Sequence, residues 1–149
     1  MSRVQMSPGE LDLSLVRLRQ VRQGSVEAMK LSLAAKGQLA PLVAARVEER
    51  AVLVDGFCRQ RAALQLAWPL LDVELLDLSA AQMKAQVYLR NRERGLTLTE
   101  QCRLVHELTE LEGLNQVEIA ALLERHKSWV CRRLMLARTL SPRLLEDTA

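Results

Sequence analysis

The sequence has few aromatic residues, few cysteines and no long apolar run. Its aromatic side chains other than histidine are Phe57, Trp68, Tyr88 and Trp129, too few for a platform of stacked bases on single-stranded nucleic acid. Three scattered cysteines suit a reducing compartment rather than a disulfide framework. No apolar stretch approaches the roughly 18 residues that a membrane span needs, and the polar start does not resemble a secretory signal. We therefore expect a soluble, cytoplasmic protein.

Motifs of hydrolytic catalysis and of metal binding are also missing. The sequence has no HExxH motif, no serine, histidine and aspartate in triad order, and no paired-carboxylate motif in a pocket context. Cys102 and His106 are four residues apart, and His126 and Cys131 lie further on, but this spacing matches no common zinc finger. A cysteine is more often a small buried apolar side chain. We predict no catalytic residues and no metal ligands.

The length of 149 residues allows one compact domain or two small ones. The net charge of +3 is by itself weak evidence for a nucleic-acid partner. Leucine and alanine dominate the apolar residues, which favours helices.

The first part of the chain mixes strand and helix patterns. Residues 1–12 show no sustained period and are interpreted as a flexible arm. Residues 13–21 alternate in polarity, which predicts a strand. Ser25 as N-cap predicts a helix to Lys36 that is ended by Gly37.

A strand, turn and helix unit follows. Residues 42–47 and 51–54 predict a β-hairpin. The Asp55-Gly56 turn then leads into a helix over 57–67, and residues 71–78 predict another strand. On the helix, Ala62, Ala63 and Leu66 are expected to face inward, and Arg59 and Gln60 outward.

Three capping boxes predict the starts of later helices. They are Ser79 with Gln82, Thr97 with Glu100, and Asn115 with Glu118. The polar stretch 91–95 ends in glycine and is typical of a domain boundary. We therefore predict an α+β fold: a small mixed α/β domain over 13–94, then an all-α domain over 95–149. A last short helix is expected after Ser141-Pro142.

Residues 115–138 predict a helix-turn-helix. The first helix has a broad apolar face, and Ala120, Glu124 and Val130 stand where the motif needs a small residue, a turn residue and a buried residue. Val130, Leu134 and Ala137 form one stripe of the second helix. That stripe leaves His126, Lys127, Ser128, Cys131, Arg132 and Met135 facing outward.

The charge pattern indicates a DNA-binding second helix. Residues 125–138 contain five Lys or Arg side chains and no acidic one, whereas residues 99–124 contain six acidic residues and one basic residue. A basic helix on an acidic scaffold favours phosphate contact. The predicted DNA-binding residues are Gln116, Arg125, His126, Lys127, Ser128, Cys131, Arg132 and Arg133. The alternative is an ordinary amphipathic hairpin with a solvated charged face.

One further anion site is suggested at the Asp55-Gly56 turn. There the start of a helix, Gly56, Arg59 and Arg61 could converge on a phosphate. A solvated helix face beneath the hairpin explains the same residues equally well.

Several motifs resemble those of the ParB-type partition proteins over about residues 15–140. The stretch GQLAPL at 37–42 resembles the family's G-x-L-x-P-[IL] lead, and DGFCRQRAA at 55–63 resembles its D-G-[EH]-R-R-x-R-A-A box. Leu96 and Glu100 resemble its L-x-x-x-E motif. Ser128-Trp129-Val130 resembles its helix-turn-helix signature, which is the most specific of the four.

This resemblance implies a nucleotide site and a dimer. In the family, the arginine box and an E-N-x-x-R box bind CTP with magnesium, and nucleotide binding closes a dimer into a sliding clamp. Here that site corresponds to Gly56, Arg59 and Arg61. Phe57 and Cys58 depart from the arginine box, and residues 88–94 contain no E-N pair in register.

We expect a sequence-specific protein for double-stranded DNA, associated with a nucleoid or plasmid, acting as a homodimer or with a partner protein. Its N-terminal domain would serve partner contacts or weak nucleotide sensing. The alternatives are a CTP-hydrolysing switch and an accessory or regulatory protein of a mobile element.

Overall fold

The computed structural model of the chain describes residues 2–92 and 95–140, which form two compact units. The first unit comprises residues 2–16 and 20–78. The second comprises residues 17–19, 79–92 and 95–140. The fold is mixed α/β, as the sequence predicts, with the strands in the first unit. Its elements carry the labels β1 to β4 and α1 to α6 in chain order.

Four strands of the first unit form a single sheet. They are β1 (Ser2–Met6), β2 (Leu42–Val47), β3 (Arg50–Asp55) and β4 (Leu71–Leu76). In the order β1-β4-β2-β3, β4 is antiparallel to β1 and parallel to β2, and β2 and β3 form the predicted antiparallel hairpin. The buried runs 42–45 and 51–54 show no alternation, as expected for strands covered on both faces.

The prediction of a flexible arm over residues 1–12 is wrong. Residues 2–6 pair along their whole length with β4, where Ser2 lies opposite Leu75 and Met6 opposite Leu71. Asp12 bridges to β3, with its N–H donating to the Ala51 carbonyl at 2.9 Å. The order of this segment depends on partners distant in sequence, so its own pattern does not reveal it.

The strand predicted over residues 13–21 is also wrong. The described structure has a turn at residues 14–15, one turn of 3₁₀ helix at Val16–Leu18 and a bend at residue 19. Leu15 and Leu18 are both buried, although an alternating strand would place them on opposite faces.

Two helices of the first unit, α1 (Gln23–Lys36) and α2 (Phe57–Gln65), pack against each other. The helix α1 begins two residues before the predicted cap Ser25 and ends at Gly37, whose N–H donates to the Leu33 carbonyl. On α2, Gln60 was predicted to face outward, but it is buried at 3% exposure. Its Nε2 donates to the Pro8 carbonyl at 2.8 Å, which satisfies the amide inside the fold.

The second unit contains four helices within its described residues, and all three predicted capping boxes are confirmed. The helices are α3 (Ala80–Leu89), α4 (Leu98–Glu110), α5 (Gln116–Leu123) and α6 (Lys127–Thr139). In each box the side chain of the N-cap residue accepts from the N3 backbone, and the N3 side chain accepts from the N-cap backbone. Each reciprocal pair satisfies two backbone donors at a helix start.

The division between the two units falls before α3, earlier than the boundary predicted at 94/95. The reason is that α3 packs against α4 and α5. Glu93 and Arg94 lie outside the described residues, as does the short helix predicted after Ser141. Leu111 is 66% exposed because α4 ends just before it.

Candidate nucleic-acid interface

The turn between α5 and α6 is built by local hydrogen bonds. Asn115 caps α5, accepting from the Glu118 N–H at 2.8 Å. Glu124 adopts the left-handed conformation with φ of 56°, and the Arg125 N–H donates to the Ala120 carbonyl at 2.9 Å. His126 then caps α6, because its Nδ1 accepts from the Ser128 N–H at 3.1 Å. Two short helices are thus joined by a tight turn, as the spacing predicts.

The buried and exposed faces of α6 follow the predicted stripe. Val130, Leu134 and Ala137 are buried, and so is Trp129, which the sequence analysis did not assign. On the outward side, Arg125, His126, Lys127, Ser128 and Arg132 are exposed, whereas Gln116, Cys131 and Arg133 are half-buried. The predicted DNA-binding residues therefore differ in their access to a ligand.

Two of the predicted arginines lie against aromatic rings. The Arg133 Cζ is 4.3 Å from the Trp129 ring centroid, and the Arg125 Cζ is 5.1 Å from it. The Arg125 Nε also donates a hydrogen bond to the Tyr88 hydroxyl, and the Arg133 Nε donates to Gln101 Oε1 at 3.1 Å. Sequence reasoning missed these aromatic supports. The four-residue spacing of Trp129 and Arg133 on α6 is the signal that could have found the Arg133 stack.

The basic groups of this surface influence each other. Burial lowers the pKa of Arg133, and the nearby charges of Arg132 and Arg125 lower it further. The guanidinium groups of Arg125 and Arg133 lie over the same Trp129 ring, so their like charges oppose each other.

The acidic residues before α6 are less available than the sequence suggests. Glu107 is buried and accepts hydrogen bonds from Arg17 at 2.7 and 2.9 Å, and the Lys84 Nζ lies 3.0 Å from its carboxylate. Burial opposes ionisation of Glu107, but the hydrogen bonds from Arg17 and Lys84 outweigh it and hold the pKa below its ordinary value. Glu112 pairs with Lys84 and Glu124 with Arg92. Internal pairing thus neutralises part of the predicted acidic scaffold.

The residues predicted for nucleotide binding lie at the start of α2. Gly56 has φ of +103°, and a Cβ there would lie 2.6 Å from the Leu42 Cγ. The Arg59 Nη1 donates to the Ala40 carbonyl at 2.8 Å, and its Nη2 is 3.7 Å from Asp55 Oδ2. Arg61 is half-buried on the same helix. Close packing against Leu42 explains why residue 56 is a glycine. The Ala40 carbonyl and the Asp55 carboxylate already engage the Arg59 guanidinium.

Neither a metal centre nor a membrane span emerges from the described residues. No group of three or more His, Cys, Asp or Glu side chains among residues 2–92 and 95–140 could hold a metal ion. Cys102 is buried, which raises the pKa of its thiol although the charge of Arg133 opposes this. None of the helices in the same residues is both long and apolar enough to cross a bilayer.

Comparisons with known proteins show which proteins the chain is similar to. No protein-family model matches the chain. The chain is 25% identical over 118 residues to a nucleoid occlusion protein of Halalkalibacterium halodurans, a match that covers 78% of this chain but 42% of that relative. The chain thus spans under half of the length of the relative it matches.

Solved ParB structures share the fold. C-terminally truncated ParB from Caulobacter crescentus, complexed with CTP-gamma-S, matches with a TM-score of 0.57 and 19% identity, over 99% of this chain and 86% of that one. The same protein complexed to the centromeric parS site matches with a TM-score of 0.61 and 18% identity, over 95% and 74%. The chain has the fold of the ParB N-terminal domains, and the resemblance stated from its motifs is confirmed at the level of the fold.

Proposed function

We propose that the chain is a ParB-type protein that binds a specific site on double-stranded DNA. The helices α5 and α6 act as a helix-turn-helix, and α6 enters the major groove. The observation that carries this proposal is the outward side of α6, where Lys127, Ser128 and Arg132 are all exposed and no acidic side chain occurs between residues 125 and 138. The shared fold with a ParB complexed to parS supports it.

The proposed contacts divide into two kinds. Lys127, Ser128 and Arg132 lie early on α6 and reach base edges, because the N-terminal part of a recognition helix contacts the bases. Arg125 and Arg133 contact phosphates, which fix the position of the protein without reading sequence. Gln116, His126 and Cys131 complete the proposed interface.

The two parts of the chain have different proposed roles. The mixed α/β part serves partner contacts or weak nucleotide sensing, and the helical part binds DNA. Because one helix-turn-helix seldom gives enough contact alone, the protein acts as a homodimer or with a partner protein. Its cellular role in this proposal is partition of a chromosome or plasmid, as a nucleoid-associated or plasmid-associated protein. A mobile-element accessory protein is the alternative role.

The test begins with selection of a preferred site from random duplex DNA by the purified chain. Arg132→Ala should then relax preference at one base position and cost about 1–3 kcal/mol in binding. Arg125→Ala should weaken binding to all duplexes and reduce the slope of log K against log salt by about 0.9. Arg22→Ala, which removes the same charge from an exposed position in the first unit, should change neither. If Arg132→Ala and Arg125→Ala both bind like the wild type, the proposed interface is wrong.

CTP with magnesium is the ligand that the fold family implies for the start of α2. The residues present do not fit tight binding of a triphosphate. Phe57 is buried at 4% exposure where the family has Glu or His, and Cys58 replaces an arginine. One Nη1 donor of Arg59 is also already used by the Ala40 carbonyl. Each lost charged contact forfeits about 1.5–3 kcal/mol, enough in sum to abolish micromolar affinity.

A calorimetric titration of the wild-type chain with CTP and magnesium separates a protein without micromolar CTP affinity from a CTP-hydrolysing switch. We expect no saturable heat at micromolar concentrations. Saturable binding that Arg59→Ala removes would establish the nucleotide site and overturn this assignment. Arg46→Ala, an exposed arginine on β2, is the control for loss of charge.

A further inference from the structure

Tyr88 and Trp129 form a buried aromatic pair beneath the basic surface of α6. Their exposures are 3% and 8%, and their ring centroids lie 5.6 Å apart at an interplanar angle of 55°. Tyr88 comes from α3 and Trp129 from α6, so both rings are fixed by regular elements. Tilted ring pairs at this separation are favourable and rigid. The pair is therefore a firm base for any side chain that lies on it.

Arg125 and Arg133 both lie on this base. Their Cζ atoms are 5.1 and 4.3 Å from the Trp129 centroid, and the Arg125 Cζ is also 5.7 Å from the Tyr88 centroid. All three distances are within the range of about 6 Å for a cation over an aromatic face. Each arginine is held a second time through Nε, by Tyr88 for Arg125 and by Gln101 for Arg133. Much of the rotamer freedom that an exposed arginine loses on binding is thus already lost.

The stacked arginines have no acidic partner within residues 2–92 and 95–140. No carboxylate there lies within ion-pair distance of Arg125, Arg132 or Arg133, and Glu124 pairs with Arg92 instead. Hydrogen bonds through Nε leave the Nη groups of both stacked arginines as donors for an external acceptor. A phosphate oxygen suits this position, because guanidinium donors match phosphate geometry and an anion relieves the repulsion between the arginines.

We infer that Tyr88 and Trp129 are positioning residues, which hold Arg125 and Arg133 ready for phosphates of the DNA backbone. This inference rests on the proposed function and adds two buried residues that touch no ligand themselves. Their effect is to lower the ordering cost of the two phosphate contacts.

Tyr88→Phe is the decisive variant, because it keeps the ring and removes only the hydroxyl that holds Arg125. We expect duplex binding at fixed salt to weaken about three- to tenfold, the worth of one hydrogen bond. The salt slope should stay unchanged, because Arg125 still reaches its phosphate, whereas Arg125→Ala lowers the slope by about 0.9. A purely structural role would lower the unfolding temperature together with the affinity, whereas a positioning role lowers the affinity at an unchanged unfolding temperature.

A second variant, Trp129→Leu, removes the stack under both arginines. We expect a larger loss of affinity than for Tyr88→Phe. Thermal unfolding is measured alongside, and if Trp129→Leu fails to fold, Tyr88→Phe decides the inference alone. Duplex affinity of Tyr88→Phe equal to that of the wild type would overturn it.

A probe without DNA separates this inference from the proposed function. In a Trp68→Phe background, Trp129 is the only tryptophan, and its fluorescence is followed during titration with inorganic pyrophosphate. We expect a saturable change that is weaker when Tyr88→Phe is added. Such a change without duplex binding would support the arginine site and refute the DNA role. Duplex binding that is insensitive to Tyr88→Phe would refute the positioning role alone, and neither response would refute both.

Discussion

Glu107 is the centre of a buried charge cluster in the second unit, and its substitution gives the sharpest stability prediction. Its side chain is 10% exposed, lies 2.7 Å from the Arg17 guanidinium and 3.0 Å from the Lys84 Nζ, and the Lys84 side chain is itself 6% exposed. Glu107→Gln keeps the shape but removes the charge. Breaking a buried pair in this way costs about 3–5 kcal/mol. Lys84 retains its ion pair with Glu112 at 2.7 Å. We therefore expect a loss at the lower end of this range, about 3 kcal/mol of unfolding free energy.

Urea unfolding followed by Trp129 fluorescence, in the Trp68→Phe background, measures this loss. The dependence on pH has a definite sign. Because the folded pKa of Glu107 is held below its ordinary value, its contribution is complete above about pH 4.3, the ordinary glutamate pKa. The contribution is lost as the pH falls through the folded pKa. The difference between wild type and Glu107→Gln should therefore be constant near neutrality and shrink in acid.

Glu110→Gln is the matched control, since Glu110 is exposed on the same helix α4. It should change the unfolding free energy by less than about 0.5 kcal/mol. The reasoning is refuted if Glu107→Gln costs less than about 1 kcal/mol at neutral pH. It is equally refuted if the cost of Glu107→Gln does not fall in acid.

Two backbone positions give further predictions, both measured by urea unfolding. Gly56→Ala should destabilise the first unit by about 2 kcal/mol, because its Cβ would meet Leu42 at 2.6 Å and φ is +103°. Gly24→Ala, where a Cβ meets nothing within 4 Å, should instead stabilise by about 0.5–1 kcal/mol. In the second unit, Glu124→Gly should stabilise by about 1 kcal/mol, since φ is 56° there. An unchanged or lower stability of that variant would show that the pair with Arg92 matters more than the backbone.

Local signals predicted the elements that local chemistry builds. The capping boxes at Ser79, Thr97 and Asn115 each lie within four residues, so sequence spacing is enough to recognise them. The hairpin of β2 and β3 and the buried stripe of α6 follow in the same way from short-range patterns.

Features that depend on distant partners were missed or placed wrongly. Strand β1 is ordered by β4, and Gln60 is buried because the Pro8 carbonyl accepts its amide. In the candidate site, the sequence identified Arg125 and Arg133 but not the ring of Tyr88, which lies on a different helix. A pattern along one helix does not report which side chain another helix places against it.

The strand order has a consequence for how the sheet forms. The partner of β1 lies roughly 70 residues later in the chain, so their pairing closes a long loop, and this slows folding. The hairpin of β2 and β3 needs only a short turn and can form well before β4 completes the sheet. Until then the backbone edge of β1 that pairs with β4 stays open, and a molecule caught at that stage offers a template for pairing with another copy. Brief heating or incomplete refolding should therefore leave this edge of β1 unpaired while the hairpin of β2 and β3 is still formed.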